Sequence, residues 1–469
     1  MYLHDDFFLT TSTARELYHE VAAGLPIIDF HTHLPAEEIL ADRRFANLWE
    51  LWLEHDHYKW RLLRGCGVEE SLITGSASPW EKFEAFASVL PLAVGNPVHH
   101  WAHLELRRVF GITTVLSRES ARAVWEEAEA FLATDPSLSV RGLLRRFRVE
   151  LVCTTDDPTA DLAVHRELAQ PGVTRTLPTF RPDRAMAVDQ PERFVRFVGE
   201  LAEASGQPVE SSRQLVEALR QRFEAFHEAG CRLSDHGLPY CPAALAEVGE
   251  IDRIFQQVVA QGEAASPQQW EVFAAHLLAQ VATWCHEAGW TMQLHLGPLR
   301  NVNRPLFQEL GPDAGFDTMG FWPQTKGLVE FLGQRQDEGA LPRLIVYNLN
   351  PQESEALCCA LQSFQDATVP GKLQYGPAWW HLDHQRGILE QLEILLSLSA
   401  LGTSVGMLTD SRSFTSFVRH EFYRRLLCQR LGQGVEEGEI PGEGAALGEL
   451  VKAVAYGNAA SFFQWPAAN

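Results

Sequence analysis

Lysine is scarce in this 469-residue chain, confined to Lys59, Lys82, Lys326, Lys372 and Lys452. Arginine therefore carries most of the positive charge, and acidic residues outnumber both together, for a formal net charge of -22. That balance excludes a broad basic surface for nucleic acid or an anionic membrane. The eight cysteines have no Cys-x-x-Cys spacing, which argues against a disulfide framework or a cysteine-built zinc site. No apolar run approaches membrane-spanning length, and "MYLHDDFFLT" has no basic segment leading into an apolar one. Low-complexity tracts, linkers and internal repeats do not stand out either. A cytoplasmic protein without nucleic-acid or membrane partners is expected. The hydrophobic fraction of 46% and charged fraction of 21% are those of an ordinary globular chain.

What is present is a recurring pairing of short apolar runs, rich in β-formers, with polar and reactive residues at their ends. "LPIIDFHTH" from Leu25 ends at His31 and His33. "VELVCTTDDP" from Val149 ends at Thr155, Asp156 and Asp157, and "GVTRTLPTFRPD" ends at Arg181. "CRLSDHGL" from Cys231 ends at Asp235 and His236, and "WTMQLHLG" from Trp290 at His295. "RLIVYNLNP" from Arg343, "KLQYGPAWW" from Lys372 and "SVGMLTDSR" from Ser404 close the series at Asn348, Trp379 and Asp410. Helical patterns separate many of these runs, as in "PERFVRFVGELAEA" from Pro191.

Eight strands alternating with helices argue a parallel sheet with right-handed crossovers. The expected fold is α/β, a single (β/α)8 TIM barrel over residues 1–469 with its chemistry where the strand C-termini meet. An open doubly wound sheet is the rival. The first two strand candidates are too far apart for an ordinary connection, so a helical insertion over about 36–148 is expected to cap the barrel mouth. A second helical insertion is expected over about 183–230. The C-terminal "GELVKAVAYGNAASFFQW" reads as an amphipathic helix packed on the outside of the barrel.

A catalytic metal needs about three protein ligands and one open position. In a strand, residues i and i+2 share a face, which would turn His31 and His33 to one ion. Asp410, from the strand next to the first in a closed barrel, and His295, from across the mouth, compete as third ligand. Asp410 also has a bland reading as a helix N-cap, since "TDSRSF" suits capping. Arg181, Arg300 and Arg412 lie at or just after strand ends, and Arg166 one helical turn after the second strand. Their convergence suggests recognition of an anionic small molecule, most simply a carboxylate. Tyr58, in "EHDHYKWR", is a donor or acid/base group within reach of the mouth. Trp379 and Trp380 read as a sugar-facing wall or as core.

Several segments resemble the uronate (glucuronate) isomerase family within the amidohydrolase superfamily. They are "DFHTH", "DHYKWR" from Asp56, "TTDDP" from Thr154, "FRPD" from Phe180, "SDHG" from Ser234, "MQLHLGPLRNVN" from Met292, "LNP" from Leu349, "AWW" from Ala378 and "GMLTDSRSF" from Gly406. The resemblance implies a barrel of the metal-dependent amidohydrolase type. It also implies an aldose–ketose isomerase interconverting D-glucuronate with D-fructuronate and D-galacturonate with D-tagaturonate. One divalent metal, zinc in many relatives, would be held by His31, His33 and Asp410, with His295 nearby as ligand or substrate contact. His57, Tyr58, Arg166, Arg181, Asp235, Arg300, Trp379 and Arg412 would line the sugar pocket. The expected chemistry is proton transfer through a cis-enediolate, with Asp410 or Tyr58 as base and Arg412 stabilising developing charge. A homo-oligomer acting on small uronate sugar acids is expected. The alternative on the same scaffold is a mononuclear metal-dependent hydrolase, deaminase or decarboxylase.

Overall fold

The computed structural model describes residues 2–442 and 444–467, and its architecture is α/β. Strands β1 (Ile27–Asp29), β2 (Val149–Cys153) and β3 (Arg175–Leu177) form one parallel sheet. Between β5 (Thr291–Leu296) and β8 (Arg343–Asn348) a short antiparallel pair, β6 (Pro298–Leu299) and β7 (Thr318–Met319), forms a separate ribbon that the sequence pattern did not reveal. β4 (Leu233–Leu238), β5, β8 and β9 (Leu373–Tyr375) make the second parallel sheet in that order. Phe180 links the two sheets, bridging Asp156 on one side and Ser234 on the other. Seven of the eight expected strands are therefore present, neighbours in space following their order in the chain.

The eighth run is extended but makes no backbone ladder. Gly406 takes a φ of 78° and Asp410 one of 49°, both left-handed values that interrupt the strand repeat. Side chains replace the missing ladder. The Gln374 amide accepts from Val405 N at 3.0 Å and donates to Thr403 O at 2.9 Å. Thr409 N donates to Asp29 Oδ1 at 3.1 Å. Two backbone bonds then tie this segment to the end of β1, Asp410 N to His31 O at 3.2 Å and His33 N to Ser411 O at 2.9 Å.

Residues alternate between two apolar environments along the strands, as a period of two requires. Met292, Leu294, Leu296, Leu344 and Val346 pack toward the surrounding helices. Ile28, Leu151, Leu177, Leu233 and Ile345 face a different cluster that includes Ala459, Phe462 and Phe463. The C-terminal segment therefore divides: Leu447, Val451 and Val454 pack in the helix-side cluster, as expected of a helix on the outside, while Ala459, Phe462 and Phe463 join the inward strand residues. Its tail reaches the N-terminal strand ends, where Arg175 donates to Pro466 O at 2.6 Å. The expected outside packing holds for the first half of the segment; the inward turn of Ala459, Phe462 and Phe463 was not legible, because the two environments are equally apolar.

Between β1 and β2 the chain forms a run of helices, including His57–Gly65, Pro79–Val89, Pro97–Glu105 and Ala121–Thr134. They have their own core, built on Trp52, Phe83, Phe86, Trp125 and Leu144, which also takes in Phe414 and Phe417. The helix His57–Gly65 starts where Asp56 caps it, its carboxylate accepting from the backbone of Tyr58 and Lys59. Helices Pro191–Ser205 and Ser212–Glu228 connect β3 to β4.

Phe463 is fully buried and touches Phe30 with ring centroids 4.9 Å apart. Phe463→Ala should cost about 3–5 kcal/mol of unfolding free energy, measurable by denaturant titration. A loss below about 1 kcal/mol would show that the tail does not hold the inner cluster together.

Candidate active site

The strand C-termini open on a cavity of about 1590 Å³. His31, His33, His57, Arg181, His295, Arg300, Trp379, Asp410 and Arg412 all line it. His31 and His33 lie beyond the end of β1, so turn geometry rather than a shared strand face brings them together. Both reach one carboxylate oxygen: His31 Nε2 is 3.1 Å and His33 Nε2 3.2 Å from Asp410 Oδ1. The second oxygen accepts from Trp379 Nε1 at 2.9 Å. Asp410 caps no helix, since the next one starts at Val418 after Phe417.

A second acid sits behind the histidines. Asp235, inward-facing on β4 and fully buried, accepts from His295 Nδ1 at 2.6 Å. Its other oxygen lies 3.1 Å from Arg181 Nη1 and 3.8 Å from His31 Nδ1. Register makes this possible, because Gly237 of β4 is opposite His295 of β5 and His295 is opposite Tyr347 of β8. The His295 ring stacks on Tyr347 at 4.0 Å and 6°. A side chain at Gly237 would fall 2.3 Å from Arg181 Nη2, so glycine is what lets the guanidinium cross the strand end. Arg181 is also held by Asp183, at 2.9 Å from Nε.

The electrostatics follow from these contacts. Burial works against charge on Asp410, but hydrogen bonds from His31 and His33 outweigh it and hold its carboxyl well below the usual range. Burial likewise opposes charge on Asp235, and Arg181, His295 and His31 overcome it. Burial would depress His31, yet Asp235 and Asp410 leave it raised. His33, which lacks the second acid, is pushed by burial down to about 4. Burial also lowers His295, which the Asp235 charge offsets only in part.

Two sets of donors could each hold a cation: His31, His33 and Asp410, and His31, Asp235 and His295. The first matches the ligand set of a mononuclear metal, two imidazoles and a carboxylate. In the second, Arg181 already occupies an Asp235 oxygen. In the first set His31 Nε2 and His33 Nε2 converge on Asp410 Oδ1 alone, while the unpartnered His31 Nδ1 and His295 Nε2 lie outside it. The residues present fit a metal. Among the described residues no lysine lines the cavity, so the bridging lysine of a two-metal centre has no counterpart.

The other expected residues divide. Arg300 lies 2.7 Å from Asp317 and its guanidinium sits 5.0 Å over the Trp380 ring, while Arg412 is 3.4 Å from Asp313. A bound carboxylate must therefore compete with aspartates of the segment that follows β6. Tyr58 does not line this cavity. It lines an adjoining one of about 460 Å³, with its ring against His57 and its hydroxyl donating to Asp383 at 3.4 Å. Burial raises the Tyr58 phenol well above its ordinary value.

Arg166 is a correction. It is exposed on the helix Ala163–Leu168 and lines neither cavity, while its neighbour His165 turns inward to Thr154 Oγ1 at 2.8 Å. Successive helical residues are separated by about 100°, so closeness in sequence to a strand end did not decide which one faces in. Asp183, Tyr347, Asp313, Asp317 and Asp383 were missed as site residues. The inward parity of β8 would have found Tyr347.

The chain matches the glucuronate isomerase family model over residues 1–463. The uronate isomerase of Solibacter usitatus is 43% identical, covering 98% of each chain. The crystal structure of the uronate isomerase from Thermotoga maritima superposes with a TM-score of 0.93 at 36% identity, covering 99% of this chain and 100% of that one. That of the glucuronate isomerase from Caulobacter crescentus gives 0.89 at 28%, covering 98% and 96%.

Burial also depresses His103, His236 and His381, each to about 4. Their folded values lie below the unfolded value near 6.5, so the unfolded chain binds more protons across that interval. Their contribution to stability is complete above about pH 6.5 and is lost as pH falls through about 4. Denaturant midpoints measured along that range should fall, and His236→Asn should flatten the slope; a midpoint that rises on acidification would refute the assignment.

Proposed function

The chain belongs to the glucuronate isomerase family, and from that premise we propose that it interconverts D-glucuronate with D-fructuronate and D-galacturonate with D-tagaturonate. The observation that carries the site assignment is the meeting of His31, His33 and Asp410 on one point of a cavity that also presents Arg181, Arg300 and Arg412. We read the seven parallel strands and the extended 404–411 segment as a (β/α)8 barrel of the amidohydrolase type, with the helices after β1 over its mouth. Small sugar acids are its substrates, and a cytoplasmic homo-oligomer is the setting we assign to it.

His31, His33 and Asp410 would hold one divalent ion, which we take to be zinc. Bound there, it supplies a fixed positive charge that anchors and polarises substrate oxygens. An aldose–ketose isomerisation moves a proton from carbon 2 to carbon 1 through a cis-enediolate. Asp410 is the better base of the two candidates. Its neighbours keep it ionised, whereas Tyr58 stays protonated and is turned toward Asp383. Arg412, two residues further on, faces the same cavity and stabilises the enediolate oxygen. His295 donates through Nδ1 to Asp235, which leaves its Nε2 lone pair for a substrate hydroxyl. Arg300 and Arg181 complete the anionic pocket, and Trp379 walls it while orienting the Asp410 carboxylate.

Isomerase assays on both uronates, with metal analysis, test this directly. Asp410→Asn should lower kcat about 10²–10⁴-fold, and His33→Ala or a chelator should remove metal and turnover together. In deuterated water the carbon 2 hydrogen should exchange with solvent during turnover. Quantitative hydrogen transfer without exchange, together with near-normal turnover of Asp410→Asn, would reject Asp410 as base.

A further inference from the structure

Behind the cavity wall lies a buried ion pair that the mechanism above does not use. Arg419 and Asp383 are 3% and 4% exposed, and neither lines the larger cavity. Arg419 Nη1 donates to Thr409 O at 2.8 Å and lies 3.4 Å from Asp383 Oδ2. The same guanidinium covers the rings of Trp101 at 3.9 Å and Tyr58 at 5.2 Å. One side chain thereby touches three segments: the residue before Asp410, the turn after Trp379 and Trp380, and the helices that follow β1.

Two of those segments carry strained backbone. Asp410 has a φ of 49° and Trp380 one of 54°, values that strain a non-glycine residue and persist only where the surroundings over-determine them. The surroundings of Asp410 do so. Its backbone is held by His31 O, its carboxylate by Trp379 Nε1, and the preceding carbonyl by Arg419. Asp383 closes the circle, because it belongs to the same turn as Trp379 and Trp380. Burying a charged pair is expensive, and an apolar pair of similar volume is often no less stable. Retaining it calls for a geometric reason.

We propose that Arg419 and Asp383 are positioning residues, which fix the strained Asp410 from behind and so set the direction in which its carboxylate faces the donors of His31 and His33 and the substrate. The pair acts through Asp410 and touches neither substrate nor metal. This rests on the isomerase reading and on Asp410 as its base. The buried cost is visible in Asp383, whose carboxyl burial pushes up to about 7 despite the opposing charge of Arg419. The groups facing it are the Arg419 charge, the neutral Tyr58 hydroxyl that donates to it and, at longer range, the Asp410 charge.

The test is Arg419→Lys and Asp383→Asn in the metal-loaded, full-length protein. Lysine keeps the charge but lacks the planar guanidinium that lies over the Trp101 and Tyr58 rings while its Nη1 serves carbonyl and carboxylate. Each variant should lose about 10–100-fold in kcat with KM changed by less than about threefold, the signature of an interaction that matters after substrate is bound. Each should still bind one metal per chain and melt cooperatively. With cobalt(II) in place of zinc, the visible absorption bands of the variants should shift without substrate, because the orientation of a ligand has changed. Unaltered kcat and cobalt bands in both variants would overturn the proposal, as would losses that only track metal loss or unfolding. If Arg419→Lys does not fold, the nearly isosteric Asp383→Asn decides; if neither folds, the pair is structural and the proposal falls. Wild-type turnover of a uronate is the control for the isomerase reading, and without turnover the cobalt bands still decide whether the pair orients Asp410.

Discussion

One carboxylate organises this protein. Asp410 shares its Oδ1 between His31 and His33, and the Asp410–His31 contact joins residues 379 positions apart. Every neighbouring arrangement serves that meeting. The segment bearing Asp410 gives up strand pairing, so that its backbone bends toward β1. Asp29, at the end of β1, spends a side-chain oxygen on Thr409 N instead of on a ligand. Trp379 contributes its indole N–H, and Asp235 orients His295 and adds negative charge beside His31 from the far side. A carboxylate so surrounded stays ionised in a buried place where an isolated one would take up a proton.

Three of the guanidinium groups that line the cavity are matched by aspartates. Arg181 answers Asp235 and Asp183, Arg300 answers Asp317, and Arg412 answers Asp313. In a chain this acidic, that pairing keeps guanidinium groups ordered before substrate arrives, at the cost of an exchange when a carboxylate enters. Arginine suits the exchange better than lysine, since its fork can release one oxygen while holding another.

Much of this was legible in the sequence, for a reason that can be stated. Reactive residues at the ends of β-rich runs signal a parallel α/β fold because strand C-termini converge, and seven of those runs are strands. His31, His33, Asp410, His295 and Arg181 were singled out by that logic and line the cavity, whereas Asp235, expected in the sugar pocket, is fully buried behind it and does not line it; the resemblance to a known family named the chemistry. What escaped was decided by tertiary geometry. Arg166 depends on helical phase, Tyr58 on which side of Trp380 and His57 its ring lies, and the failed eighth strand on two left-handed residues. The C-terminal helix was recognised by its amphipathic pattern, and Leu447, Val451 and Val454 pack on the helix side as expected, yet no pattern shows that Ala459, Phe462 and Phe463 turn inward.

That tail has a consequence for how the chain comes to be folded. Phe462 and Phe463 complete a cluster whose other members begin at Ile28, so the inner layer lacks its final side chains until synthesis has passed Phe463. Contacts of such sequence separation form late and slowly. The nascent chain on the ribosome must therefore wait with an unfilled apolar interior, and this is the stage at which chaperones have the most surface to protect.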